Sequence, residues 1–190
     1  MKGKTFLMND KTTLPRLRKG IYLLLSKRHL SVQDFRIQKV CKLCGMPRST
    51  FYRIYGNIHE VILGLIMLDL QENFDLQKYG IEESIYNLVM FIETHKNYFR
   101  NSCELLMYQE EKNFESEPLS YRRIKDYMFN EFLQYTDGDY ELSEFLSGII
   151  CSIIYDWGVA HKYEYTCSNI IEKCCKVIEQ SGINLVSNVN

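Results

Sequence analysis

The thirteen residues GMPRSTFYRIYGN, 45–57, hold two glycines, one proline, two hydroxyl residues, two arginines and three aromatic rings. Glycine just past the end of a helix is the usual left-handed stop. Gly45 follows a segment, Arg36–Cys44, in which Ile37, Val40, Cys41 and Cys44 recur on one helical face. Proline suits the start of a helix, where its missing N–H has no intrahelical partner. Pro47 therefore opens a short helix, 47–55, that the Gly56-Asn57 pair ends. Wound at helical pitch, it turns Phe51, Ile54 and Tyr55 inward and Arg48, Ser49, Thr50, Tyr52 and Arg53 outward. Helix, glycine turn, short helix is the pattern of a helix-turn-helix, whose second helix enters the DNA major groove.

The elements around this pair fit. Thr13 is placed to cap a first helix with Leu14, Leu17, Ile21, Leu24 and Leu25 on its buried stripe; Pro15 is tolerated in the first turn. Leu30, Val32 and Phe35 are candidate plugs in the connector that follows. A fourth helix is expected over 58–74. Further helices are expected at about 82–100, 101–113, 119–136, 141–162 and 167–181, with polar breaks at 78–80, 115–118, 136–139 and 164–166. No run alternates as a strand would, so the fold class is all-α, about nine helices in all. The domains are 1–57, a tail and the helix-turn-helix, and 58–190, a helical body.

Charge divides the chain in the same way. The net charge is −1, yet residues 1–60 carry 13 Lys/Arg against 3 Asp/Glu, and residues 61–190 carry 10 against 21. A basic head on an acidic body is the asymmetry expected when one end meets a polyanion. In the outward set, arginine pairs bidentately with guanine and Thr50 offers a hydroxyl or methyl to a base edge, while Ser49, Tyr52 and Arg53 suit phosphate contacts. The longest apolar run, Val61–Leu68, is shorter than a bilayer span, and the basic N-terminal stretch has no long apolar core. A cytoplasmic protein with no membrane partner is the expectation, and seven cysteines in a chain of 190 fit a reducing compartment.

The stretch FRIQKVCKLCGMPRSTFYRIYGNIHEVILGLI, 35–66, resembles the TetR family of bacterial transcriptional regulators, most closely at RSTFY, 48–52. The likeness covers about residues 14–70. SEFLSGIICSIIYDWGVAHKYEYTCSNIIEKCCKVIEQ, 143–180, is similar in pattern to the last helices of the subgroup that includes regulators of dihydroxyacetone kinase genes, with Trp157 in place of that subgroup's tryptophan. The chain departs from the family at Ile58 and His59, where a lysine often opens the fourth helix. It departs again at Cys41 and Cys44, usually small residues, and at Arg36, often Ser or Thr.

The resemblance implies a homodimeric repressor that binds a palindromic operator and answers to a small-molecule effector. Two recognition helices would meet major grooves about 34–36 Å apart. Arg36, Pro47, Arg48, Ser49, Thr50, Tyr52, Arg53 and His59 would line the DNA. The middle helices would enclose the effector, with Tyr86, Met90, Phe91, Tyr98, Phe99, Cys103, Met107, Tyr127, Met128 and Phe132 as candidates. The last two helices would form the dimer face through Phe145, Ile149, Ile153, Trp157, Ile171, Val177 and Ile178. Plain core explains both apolar sets equally well. Helix 4, as the link between head and body, would carry the effector signal.

Other classes fit less well. Cys41-x-x-Cys44 has no second pair at zinc spacing, and both thiols fall on an inward face, so no metal is assigned. His29, His59, His95 and His161 share no ligand spacing. Glu82-Glu83 and Glu110-Glu111 read as solvated faces, and no phosphate loop or nucleophile elbow occurs, so neither catalysis nor a cofactor is expected. Two alternatives stay open: a coactivator of the same fold that works through protein contacts, and a regulator switched by thiols at Cys103, Cys151, Cys167, Cys174 or Cys175.

Overall fold

The computed structural model describes residues 13–28, 30, 35–110, 119–160 and 163–183. It is all-helical: among the described residues there are nine α-helices of eight residues or more, one single turn and no strand. They are α1 (Leu14–Leu25), α2 (Ile37–Cys44), α3 (Arg48–Tyr55), α4 (Ile58–Asn73), the single turn α5 (Leu76–Tyr79), α6 (Ile81–Thr94), α7 (Lys96–Glu110), α8 (Leu119–Tyr135), α9 (Tyr140–Tyr155) and α10 (Cys167–Gln180).

The helices sort into two compact units. The first holds α1, α2, α3, α4 as far as Leu68, and α7; the second takes α4 from Asp69, then α5, α6, α8, α9 and α10. The chain therefore passes between units three times, within α4, between Thr94 and His95, and after α7. Helix 4 is one connection among three.

In the first unit, α1 packs on α2 and on α7. Leu17, Ile21, Leu24 and Leu25 of α1 are buried at the predicted spacing, as are Val40, Cys41 and Cys44 of α2 and Phe51 of α3. Leu30 and Phe35 are half-buried; Val32, the tail before Thr13, and the break at 115–118 lie outside the described residues. The approach of α1 to α2 depends on Gly20: a Cβ there would stand 2.6 Å from Cys44 Sγ. Gly20→Ala is expected to destabilise the protein by about 1–2 kcal/mol. Overpacking costs about 1–3 kcal/mol, and relief of mid-helix glycine returns about 0.5–1. A Cys44→Ala partner should cancel the clash, so thermal melts of the two single variants and the double variant should show strong non-additivity.

In the second unit, α8 lies along α9, α10 packs on both α6 and α9, and the α5 turn touches α6 and α8. The buried faces repeat every three or four residues: Ile124, Met128 and Phe132 on α8; Leu146, Ile150 and Ile154 on α9; Ile170, Cys174 and Ile178 on α10. Asp139 caps α9 by accepting from Leu142 N at 3.0 Å, and Thr166 caps α10 by accepting from Asn169 N at 3.3 Å. The α8–α9 turn falls at the predicted polar break, with Asp137 and Gly138 both at positive φ.

Four local expectations change. Thr13 does not cap α1 with its side chain; its hydroxyl lies 2.9 Å from Tyr55 Oη. The boundary expected at 100–101 falls at His95, whose Nδ1 lies 2.7 Å from Tyr22 Oη of α1. The stretch 78–80 is not all break: Asp75 accepts from Lys78 N at 2.9 Å and nucleates the α5 turn. The helix expected over 141–162 loosens into a π-helical turn at Asp156–Ala160, where Trp157 Nε1 donates to Tyr165 O at 2.8 Å. Helix α9 with its π turn, Tyr140–Ala160, is long and apolar enough by length and composition to cross a membrane. Its apolar side chains Leu146, Ile150, Ile154 and Trp157 are buried within the protein.

A candidate nucleic-acid interface

The turn between α2 and α3 is built by Gly45. Its φ of 63° and ψ of 32° lie in the left-handed region. Met46 N donates to Cys41 O at 2.9 Å and Gly45 N to Lys42 O at 3.4 Å, the paired bonds of a Schellman stop that satisfy the last carbonyls of α2. Pro47, extended at φ −60° and ψ 142°, then takes the N-cap position, and Phe51 N donates to Pro47 O at 3.0 Å.

Eight residues make a helix that is marginal without tertiary support. Phe51 supplies it. The ring is fully buried, tilted against Tyr55 at 5.4 Å between centroids and edge-on to Tyr52 at 5.8 Å. Tyr55 is pinned in turn by the Thr13 contact. Burying Phe51 forces the opposite face outward. Pro47, Arg48, Ser49, Tyr52 and Arg53 are exposed, Thr50 is half-exposed, and Tyr52 keeps 47% of its surface open. Among the described residues the guanidinium groups of Arg48 and Arg53 have no hydrogen-bond or ion-pair partner.

Arg36 is exposed just before α2. Nine basic side chains of residues 13–60 are exposed (Arg16, Lys19, Lys27, Arg28, Arg36, Lys39, Lys42, Arg48 and Arg53), against the single acidic Glu60 among the described residues of that range. Such a density of one sign raises the local potential seen by a polyanion.

His59 sits in the first turn of α4. Asn57 caps that helix: its Oδ1 accepts from His59 N at 2.9 Å and lies 3.1 Å from His59 Nδ1. An amide oxygen only accepts, so Nδ1 carries the proton and Nε2 is left as an acceptor. Burial holds the imidazole below its ordinary value, with Glu60 opposing. The neutral ring is thus favoured near pH 7, and in it Nε2 presents no donor.

Cys41 and Cys44 line the inner face of α2. Burial pushes the Cys41 thiol up, with the nearby Arg48 charge opposing, and burial also raises Cys44. In the second unit, burial takes Cys174 up to about 12 and also raises Cys175. Cys103 and Cys151 are buried, and Cys167 is half-exposed. The thiolate is the reactive form, so this environment makes Cys41, Cys44 and Cys174 poor redox centres. Among the described residues no three His, Cys, Asp or Glu side chains converge as a metal site.

The candidate effector residues divide between the units. Tyr98, Phe99 and Cys103 are buried in the first unit, where Met107 is half-exposed. In the second unit Met128 and Phe132 are buried, Tyr127, Met90 and Phe91 are half-exposed, and Tyr86 is exposed. Tyr127 donates to Phe74 O at 2.8 Å, and burial raises its phenol strongly, so it stays neutral.

The dimer candidates also divide. Phe145 is 51% exposed, and Ile149, Ile153, Ile171 and Val177 are half-exposed, leaving an apolar strip on α9 and α10. Trp157 and Ile178 are buried inside the subunit, Trp157 against Tyr163. This corrects the expectation that both present themselves to a partner. The periodicity that marked them was the signal of an inward face.

Sequence reasoning missed three positioning side chains: Asn57 as a cap, Tyr55 as a partner for Thr13, and Asn101, described below. A short polar residue before an apolar run is a legible sign of an N-cap; nothing in the sequence pairs residues 13 and 55. No protein-family model matches the chain, and no curated protein is significantly similar to it.

Proposed function

We propose that the chain is a TetR-like DNA-binding transcription regulator that acts as a homodimer, represses from a near-palindromic operator and responds to a small-molecule effector. What carries the reading is the face of α3: two unpartnered guanidinium groups beside Thr50 and Tyr52, on a helix fixed from behind by Phe51, within a strongly basic segment. Arg48 and Thr50 are assigned to base edges and Ser49, Tyr52 and Arg53 to phosphates, with Arg36 and His59 at the margins. The half-exposed apolar strip of α9 and α10 suits the partner subunit, because a two-fold pair of heads reads two half-sites at once. The effector, the cytoplasmic location and the non-catalytic role remain parts of this proposal.

Selection of bound duplexes from a random DNA pool, repeated at two salt concentrations, tests it. Phosphate-only binding falls steeply as salt rises. A two-fold symmetric motif that survives the higher salt supports the reading, and binding without a motif rejects sequence-specific regulation.

His59 adds a pH dependence. A phosphate beside it would favour the imidazolium, so proton uptake and DNA binding are linked. Affinity for the selected duplex should rise as pH falls from 7 through the lowered folded value, and His59→Gln should flatten that rise. The sign for stability is opposite. A folded value held below the unfolded one gives stability that is present above the unfolded value near 6.5 and is lost on acidification. Anisotropy titrations and thermal melts between pH 5 and 8 would separate the two effects, and a flat affinity profile in the parent would remove His59 from the interface.

A further inference from the structure

We infer that α7, although about fifty residues beyond the recognition helix, is part of the DNA-reading unit, and that Asn101 is a positioning residue for α3. The inference rests on the DNA-binding reading above. The last carbonyls of a helix have no intrahelical donor. Helix α1 ends at Leu25 with no basic residue in its last turn, and the next residue, Ser26, keeps helical angles rather than turning left-handed. Asn101 fills the place of a cap. Its Nδ2 donates to Leu25 O at 2.6 Å and to Lys27 O at 2.9 Å, using both amide hydrogens, and the side chain is only 4% exposed. One turn earlier on α7, Asn97 Nδ2 reaches Ser26 O at 3.4 Å. At the head of α7, His95 Nδ1 lies 2.7 Å from Tyr22 Oη, and Tyr98 packs against the Tyr22 ring at 5.2 Å.

What α7 holds is the helix that aims α3. Along its length of about 18 Å, α1 meets the α2–α3 pair twice: Gly20 lies under Cys44, the residue before the Gly45 turn, and Thr13 holds Tyr55, the last residue of α3. A line of contacts thus runs from the Asn101 amide through α1 to the end of α2, just before the Gly45 turn, and to Tyr55 at the end of the recognition helix, and every member of it belongs to one unit.

The test uses the full chain and three readouts: affinity for the duplex selected above, the slope of log affinity against log salt, and amide exchange across α3. Asn101→Ala should weaken the specific duplex by about tenfold or more. The salt slope should be unchanged, because the phosphate-facing side chains remain, and α3 should exchange faster before any DNA is added. Asn101→Asp faces two carbonyl oxygens with a carboxylate and should bind worst at neutral pH. On acidification it should regain affinity relative to Asn101→Ala, since a protonated carboxyl donates to one carbonyl again. That pH difference ties the effect to the two carbonyl contacts, and faster exchange confined to α1 and α3, with the second unit protected as in the parent, distinguishes positioning from a general loss of fold. Affinity within twofold of the parent together with unchanged α3 exchange would overturn the inference. A parent that binds no duplex at all would instead defeat the DNA-binding reading, and the exchange readout would still decide whether Asn101 positions α3.

Discussion

Replacing Arg48 and Arg53 together by alanine should reduce affinity for the selected duplex by about a hundredfold or more while leaving the fold intact. Both side chains are exposed and have no hydrogen-bond or ion-pair partner among the described residues. Exposed substitutions of this kind change stability by about 0.5 kcal/mol or less. A bidentate base contact contributes about 1–3 kcal/mol of discrimination, and a tenfold change in affinity corresponds to about 1.4 kcal/mol. The single variants should differ in kind. Arg48→Ala, placed at a base edge, should relax sequence preference at one position of each half-site. Arg53→Ala, placed on phosphate, should weaken all duplexes alike and lower the salt slope by about one unit for each head. Lys173→Ala and Lys176→Ala on the exposed face of α10 serve as charge controls. Anisotropy titrations at two salt concentrations give every quantity needed. Equal affinity of parent and double variant, with melts superimposed, would remove α3 from the interface.

Phe51→Ala should act by the opposite route, destroying the platform and leaving the polar face chemically complete. Removing a fully buried phenylalanine costs about 3–5 kcal/mol in transfer and cavity terms. A domain has only about 5–15 kcal/mol of stability. The loss is concentrated where the structure is thinnest, since Phe51 is the one fully buried side chain of an eight-residue helix. Thermal melts should show the loss, and DNA binding should vanish with it. Tyr52→Ala, one residue on and 47% exposed, should leave the melt nearly unchanged and weaken DNA binding alone. The pair separates platform from reading face. If Phe51→Ala melts like the parent, α3 is not held as described.

The contrast between positions 51 and 52 was legible in the sequence because it depends only on helical period and side-chain chemistry. So were the α2–α3 turn, the buried stripe of α1, the all-helical class and the basic first sixty residues. Each of these is local. Gly45 stops α2 through its own backbone freedom, and the apolar spacing of Leu17, Ile21, Leu24 and Leu25 suffices to say which side of α1 turns inward. Periodicity did not say what a stripe packs against. Trp157 and Ile178 show the ambiguity: they have the spacing of an interface and are buried within the subunit.

What only the tertiary structure decided lies in contacts between residues far apart in the chain. Thr13 has the chemistry of an N-cap, yet its hydroxyl goes to Tyr55, forty-two positions away. The α6–α7 break sits at His95, with no glycine or proline to mark it, and the His95 ring meets Tyr22, 73 positions away. Asn101 is an ordinary polar residue in an amphipathic helix until α1 ends beside it with carbonyls that need donors. The sequence by itself determined that the chain is helical, where α3 begins and ends, and which of its side chains point away from the core, since those properties follow from backbone geometry and near neighbours. The aim of that helix was left to tertiary structure, because a direction in space is set by side chains that meet across the chain, as Thr13 and Tyr55 do over 42 positions and Asn101 and Leu25 over 76.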